Sequence, residues 1–404
     1  MSSKPMPADP MIAQLVRMAQ NSTMGRRTLL AGAGAGAAAL ALAACSTGTA
    51  AAKPTAAADK SASDKTLRWD NWALYIDIDN AGNYPTLNAF TKETGIKVAY
   101  TEAVDDNNTY YGKVKDQLSL GQDIGADTVC LTDWMVGRLI RFGYVQELNH
   151  ANIPNLANLT PALADVGFDP GRKLSVPWQG GFAGLAWNKE KLPNGISHVE
   201  ELWSSDLKGR VGTLSEMRDT MGVLMQANGV DISGKWGDDE YNAAIELLQK
   251  QVTDGQIRNI KGNSYKEDLI NGDTLAAIVW SGDITQLNAE NGDKWGFALP
   301  DTGGTLWNDN FVVPIGSPRK ANAEALINYY YQPEVAAEVA AYVNYITPVV
   351  GAKAAAMAID PALANNQLIF PDDKTLSNAH VFRVLTPAEE QKYDAAFQSI
   401  LLGA

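Results

Sequence analysis

Four short segments of this sequence set an indole beside a carboxylate: Trp69-Asp70-Asn71-Trp72, Thr132-Asp133-Trp134, Trp280-Ser281-Gly282-Asp283 and Trp307-Asn308-Asp309. An indole face attracts an ammonium group by roughly 0.5 to 2 kcal/mol and also covers methylenes, while a carboxylate supplies the opposite charge. The combination suits an organic cation. Each segment also has a plain structural reading, since tryptophans anchor cores and aspartates such as Asp133 and Asp283 cap helices. Four of them at predicted strand ends favour a shared site, because ligands of open α/β sheets bind outside the carboxyl ends of the strands.

Other chemistries find little support. The chain has no His-Glu-x-x-His, Cys-x-x-Cys or Gly-x-Ser-x-Gly, and His150, His198 and His380 each stand alone among polar neighbours. Neither a metal nor a cofactor is expected. Gly229 to Trp236 has phosphate-loop spacing, but Trp236 replaces the hydroxyl residue that would hold magnesium, and Met221 to Ala227 before it reads as helix where a strand is required. Tyr329-Tyr330-Tyr331 could suggest phenolate ligation of iron, yet neighbours on a helix point in different directions, which favours core packing. An exported hydrolase built on Glu216 and Asp219 is a weaker reading. Acids three apart on a helix are neighbours, whereas a scissile bond must be flanked.

The elements that must position these residues alternate. Strands are predicted at Thr66–Trp69, Lys97–Thr101, Asp127–Cys130, Ala183–Trp187, Val211–Thr213, Ala276–Trp280, Gly296–Ala298 and Phe311–Pro314. Helices are predicted at Tyr84–Thr94 and Thr109–Leu120, each closed by a glycine, and at Asp239–Val252, Ala321–Tyr331, Glu334–Val343 and Pro387–Leu402. Such alternation predicts an α/β fold with mostly parallel strands. Pro and Gly punctuate the chain at Val176 to Gly181, Pro300 to Gly304 and Thr347-Pro348. Read as crossings, these points divide the chain into lobe 1, residues 66–176 and 311–348, and lobe 2, residues 177–310 and 349–404.

The N-terminus reads as an address. Arg26-Arg27 before a short Ala/Gly/Leu run resembles a twin-arginine export signal over residues 1–44, and Leu42-Ala43-Ala44-Cys45 resembles a lipobox with Cys45 as the lipidated residue. Residues 45–65 read as a flexible tether. The whole chain carries 33 Lys plus Arg against 46 Asp plus Glu, a formal charge of -13, which argues against nucleic-acid binding. Removing residues 1–44 makes it -16. Cys130 then has no partner for an internal disulfide, and its apolar neighbours predict a buried thiol.

From about Leu67 to Phe370 the chain resembles the spermidine/putrescine-binding lipoproteins and periplasmic proteins of bacterial ABC importers. The resemblance rests on Trp69-Asp70-Asn71-Trp72, Phe90-Thr91-Lys92-Glu93-Thr94-Gly95-Ile96-Lys97-Val98, Ile278-Val279-Trp280-Ser281-Gly282-Asp283 and Tyr345-Ile346-Thr347-Pro348. It implies a two-lobed, periplasmic-binding-protein-like (type II) α/β clamp with a hinge and a central cleft, and no catalysis. Rings would sandwich a polyamine's methylenes while acids hold its ammonium ends. Carried over, Trp72 and Tyr75 follow the first strand, and Thr132 and Trp134 lie at the tip of the third. Glu216 and Asp219 are the acids of the second lobe, Trp280 and Trp307 are wall tryptophans, and Asp309 engages an amine. Ala73 in place of a hydroxyl residue, Trp134 in place of tyrosine, and exchanged acid lengths at 216 and 219 depart from the family pattern. Its C-terminal amide position falls near Phe382. The implied partners are a polyamine, a permease with its ATPase on other chains, and the membrane through Cys45; a monomer is expected. Another cationic or neutral solute, or a sensor role, would use the same pocket.

Overall fold

The computed structural model describes residues 53–403, so the expectations for residues 1–44 and for Cys45 lie outside the described residues. Strand β1 (Thr66–Trp72) buries Leu67, Trp69 and Trp72 and runs parallel to β2 (Lys97–Val104) and β3 (Thr128–Thr132). The connecting helices are α1 (Pro85–Thr94) and α2 (Asn107–Ser119). Helix α1 starts with Pro85 and stops at Gly95, whose φ of 74° is the left-handed geometry expected of a glycine cap. Asp106 caps α2 by accepting from the Thr109 N–H at 2.9 Å. Helix α3 (Asp133–Phe142) leaves directly from β3 with no loop between them and stops at Gly143, whose φ of 73° is again left-handed.

The long strand β4 (Val176–Asn188) carries the chain across to the other half of the sheet. There follow β5 (Val211–Leu214), α4 (Met217–Ala227), α5 (Asp238–Thr253), β6 (Ile257–Lys261), α6 (Tyr265–Ile270), β7 (Ala276–Trp280), α7 (Ser281–Asn291) and β8 (Trp295–Ala298). Strand β9 (Gly304–Val312) returns to β3, followed by α8 (Lys320–Tyr330), α9 (Pro333–Val343), α10 (Ala352–Ile359), α11 (Pro361–Ala364), α12 (Asp373–Leu376), β10 (Ala379–His380) and α13 (Pro387–Leu401). The main strand order is β2-β1-β3-β9-β4-β7-β5-β6. The sheet is mixed: parallel in each outer half, but antiparallel at β3–β9, β9–β4 and β4–β7, where the two crossing strands meet. Two α/β lobes thus share one sheet.

The crossings differ from those expected. Gly180 and Gly181 lie inside β4, beyond a register irregularity at Pro177 to Gly180, and do not form a free hinge loop. Their lack of side chain answers a space requirement: a Cβ at Gly181 would sit 2.6 Å from the Trp307 ring and 2.7 Å from that of Tyr345. Pro300 to Gly304 is the turn between β8 and β9 within lobe 2, and the crossing is β9 itself. Residues after 348 do not pass at once to lobe 2. The Val350 N–H donates to Asn158 O and Val349 bridges to Leu159, so α10 stays with lobe 1. The chain reaches lobe 2 by β10, which pairs with β9 at Gly304.

The expected tether is also shorter at its C-terminal side. The N–H groups of Ala57 and Lys60 donate to Ile315 O and Pro318 O, and Arg319 pairs with Asp64 at 2.7 Å. Cys130 is buried, as are Tyr329, Tyr330 and Tyr331. The two lobes touch directly: Asn107 Nδ2 donates to Glu216 Oε2 at 2.9 Å, Ser215 Oγ to Asp106 Oδ2 at 2.7 Å and Gln286 Nε2 to Leu74 O at 2.9 Å.

Candidate functional site

Strand β4 explains how residues far apart in sequence meet. Ala183 lies opposite Trp280 on β7, and Gly181 lies opposite Trp307 on β9, so the small residues of β4 leave room for both indoles. On the other side of β9, Asp309 stands opposite Thr132 at the end of β3. Trp72 and Tyr75 enter from the end of β1. Glu216 precedes α4, and Asp219 lies in its first turn. These elements line a narrow cavity bordered by Trp72, Tyr75, Thr132, Glu216, Asp219, Trp280, Trp307 and Asp309.

The rings form an edge-to-face chain. Centroids are 5.9 Å apart for Trp72 and Trp280, 6.4 Å for Trp280 and Trp307, 5.3 Å for Trp307 and Tyr345, and 5.4 Å for Tyr345 and Tyr75. The acids are buried and unequal. Asp219 accepts from Trp280 Nε1 at 2.8 Å and from Thr305 Oγ1 at 2.6 Å, so both its oxygens are used. Asp309 Oδ1 and Glu216 Oε1 have no partner. Unpartnered buried carboxylate oxygens are costly, and an ammonium donor satisfies them. Burial pushes the Asp309 carboxyl up to about 7, with the hydroxyls of Thr132 and Tyr75 drawing it back. Burial likewise raises Asp219 to about 6, its bonds to Thr305 and Trp280 opposing the rise. Burial, then the charges of Asp106 and Asp219, hold the Glu216 carboxyl well above the usual range.

Of the nine positions expected to meet a ligand, Trp134 alone stands apart from this cavity. It is the second residue of α3, and that helix start turns the indole outward, where Arg218 stacks on it at 3.9 Å and Arg138 at 4.8 Å. It lines an adjoining space with Arg218 and Phe382, which shares Thr132, Glu216, Asp219 and Trp307 with the cavity. Asp70 and Asp133 also face elsewhere, toward Tyr110 and Asn310. Asn263, Asp283 and Tyr345 line the cavity although none was among the nine expected contacts. Asp283 belongs to one of the four Trp–Asp segments, with a helix cap as its alternative reading, and its oxygens accept from Tyr265 at 2.8 Å and Tyr345 at 3.0 Å. Tyr345 opens one of the segments that carry the family resemblance, while Asn263 has no signal of its own.

The chain matches the family described as bacterial extracellular solute-binding protein over residues 86–366, and it belongs to that family. It is 29% identical over 326 residues to the spermidine/putrescine-binding periplasmic protein of Salmonella typhimurium, covering 80% of this chain and 87% of that protein. It is 28% identical over 361 residues to the putrescine-binding periplasmic protein PotF of Escherichia coli, covering 85% and 93%. Among solved structures, a putative spermidine/putrescine ABC transporter protein from Listeria monocytogenes is similar with a TM-score of 0.73 at 26% identity, covering 84% of this chain and all of that one. The spermidine/putrescine transporter substrate-binding protein PotD of Streptococcus pneumoniae gives 0.66 at 25%, covering 83% and 98%.

Proposed function

We propose that this chain captures a protonated polyamine of the putrescine/spermidine class in the cavity between its lobes and delivers it to an ABC importer. The observation that carries the reading is the pair of unpartnered carboxylate oxygens, Asp309 Oδ1 and Glu216 Oε1, inside a wall of aromatic rings. Ammonium ends meet the acids, methylenes lie on the indoles, and no bond is made or broken. The acids come from lobe 2 and from the crossing strand β9, whereas Trp72, Tyr75 and Thr132 come from lobe 1, so a ligand that touches both sets favours the closed arrangement over an open one. Micromolar binding needs about 8.2 kcal/mol net. Several cation–π contacts and two or three charge-assisted hydrogen bonds are of that size after the losses of association.

The closed form then docks on a permease whose ATPase lies on other chains, and the protein acts as a non-enzymatic monomer. Export through residues 1–44 and a lipid on Cys45 would hold it at the outer face of the cytoplasmic membrane or in the periplasm. A thermal-shift panel tests the ligand class: polyamines at low excess raise the melting temperature, and sugars or choline-like cations leave it unchanged. The reverse pattern overturns the reading.

A further inference from the structure

The cavity has a fourth lining carboxylate, Asp283, and it differs from the others in already facing a cation. Lys266, on α6, places its Nζ 3.4 Å from Asp283 Oδ1, and both side chains are buried. The hydroxyls of Tyr265 and Tyr345 occupy the two oxygens of the same carboxylate. The Lys266 ammonium makes no hydrogen bond in return, so it stands as a charge partner to Asp283 and is tied to nothing else. A lysine ammonium and the end of a polyamine are the same chemical group. One that is built in neutralises the carboxylate and repels a second cation brought to it.

We infer that Lys266 determines specificity by standing in for a ligand ammonium at Asp283, which lowers by one the number of ammonium groups the cavity accepts. The inference rests on the polyamine reading and sharpens it. Asp219 already has both oxygens occupied by Trp280 and Thr305, so the carboxylates that still offer an unpartnered oxygen are two, Glu216 and Asp309, with Asn263 Oδ1 as a further unpartnered acceptor on the wall. That supply matches a compact diamine better than a triamine, whose third charge would meet the Lys266 field.

The test is calorimetric titration of the full chain with putrescine and with spermidine, in the wild type and in Lys266→Met, Lys266→Gln and Lys266→Arg. Lys266→Gln keeps a hydrogen-bond donor beside Asp283 and guards against misfolding in the methionine variant, and thermal melts report the fold of each. The wild type and Lys266→Arg should prefer putrescine by about tenfold or more, and the two neutral variants should shift the ratio toward spermidine by about tenfold. Equal or tighter binding of spermidine by the wild type overturns the inference. So does an unchanged ratio in folded Lys266→Met and Lys266→Gln, which would leave Lys266 a merely structural ion pair. Both of those results leave the polyamine reading standing. Absence of binding by either ligand to a cooperatively melting wild type contradicts that reading itself, and the inference with it.

Discussion

Asp309 combines full burial, an unpartnered oxygen and a position where the two halves of the sheet meet. Asp309→Asn removes the charge at nearly constant shape. Loss of one partner from a buried charged hydrogen bond costs about 2–5 kcal/mol, so polyamine affinity should fall roughly 30- to 4,000-fold in calorimetry, with little change in the melting temperature of the ligand-free protein. Trp280→Ala should weaken binding by roughly 10- to 100-fold, since it deletes a cation–π wall and the donor that orients Asp219. Protonation adds a directional test. Asp309 at about 7 and Asp219 at about 6 hold protons more tightly in the fold than the ordinary aspartate value of about 3.9 allows in the unfolded chain. Their contribution to ligand-free stability is therefore complete below about pH 4 and is lost as pH rises through about 6 and 7. An ammonium needs the ionised form, so affinity should rise across the same window and binding should release protons, read as a dependence of the calorimetric heat on buffer ionisation enthalpy. Asp309→Asn should reduce that release.

At the scale of elements, α3 of lobe 1 and α13 of lobe 2 are clasped by arginines. Arg138 donates to Glu390 at 2.8 Å and to Asp394 at 2.6 Å, and Arg141 also pairs with Glu390. All but Arg141 are largely buried, so the clasp is less screened than a surface pair. Arg138→Ala should raise the polyamine off-rate by roughly tenfold or more in stopped-flow tryptophan fluorescence, with a smaller effect on the on-rate. How far the elements were legible follows from their local signals. Helix α1 shows Pro85 and Gly95 at its ends, and its predicted span agrees to one residue. Strand β6 and helix α3 were not anticipated although glycines close by mark them, Gly255 before β6 and Gly143 after α3, because α3 follows β3 with no intervening loop and β6 is a short, half-exposed strand. The glycines of β4 misled for a physical reason: a small residue that makes room for a ring looks, in sequence, like one that frees a hinge. Trp134 misled because a strand running straight into a helix turns its side chain away from the tip it seems to occupy.

For the whole molecule, the four tryptophan–aspartate segments anticipated a site but could not show their convergence, which depends on the register of β4 with β7 and β9. Two segments contribute both members, Trp280 with Asp283 and Trp307 with Asp309; one gives only Trp72, and the segment at Trp134 lines the neighbouring space. The net charge of -13 played little part, since the carboxylates that matter are a few buried ones whose ionisation the fold resists. Closure of the lobes about a bound cation is the central claim at this scale, and it requires that the ligand bring both charge and length. Isothermal titration of the full chain against putrescine, cadaverine, spermidine, spermine and glucose tests it most directly. The account predicts saturable one-to-one binding of at least one polyamine in the micromolar range or tighter, no heat with glucose, and near-complete loss in Asp309→Asn. Absence of binding by every polyamine, or equal affinity in wild type and Asp309→Asn, would contradict it.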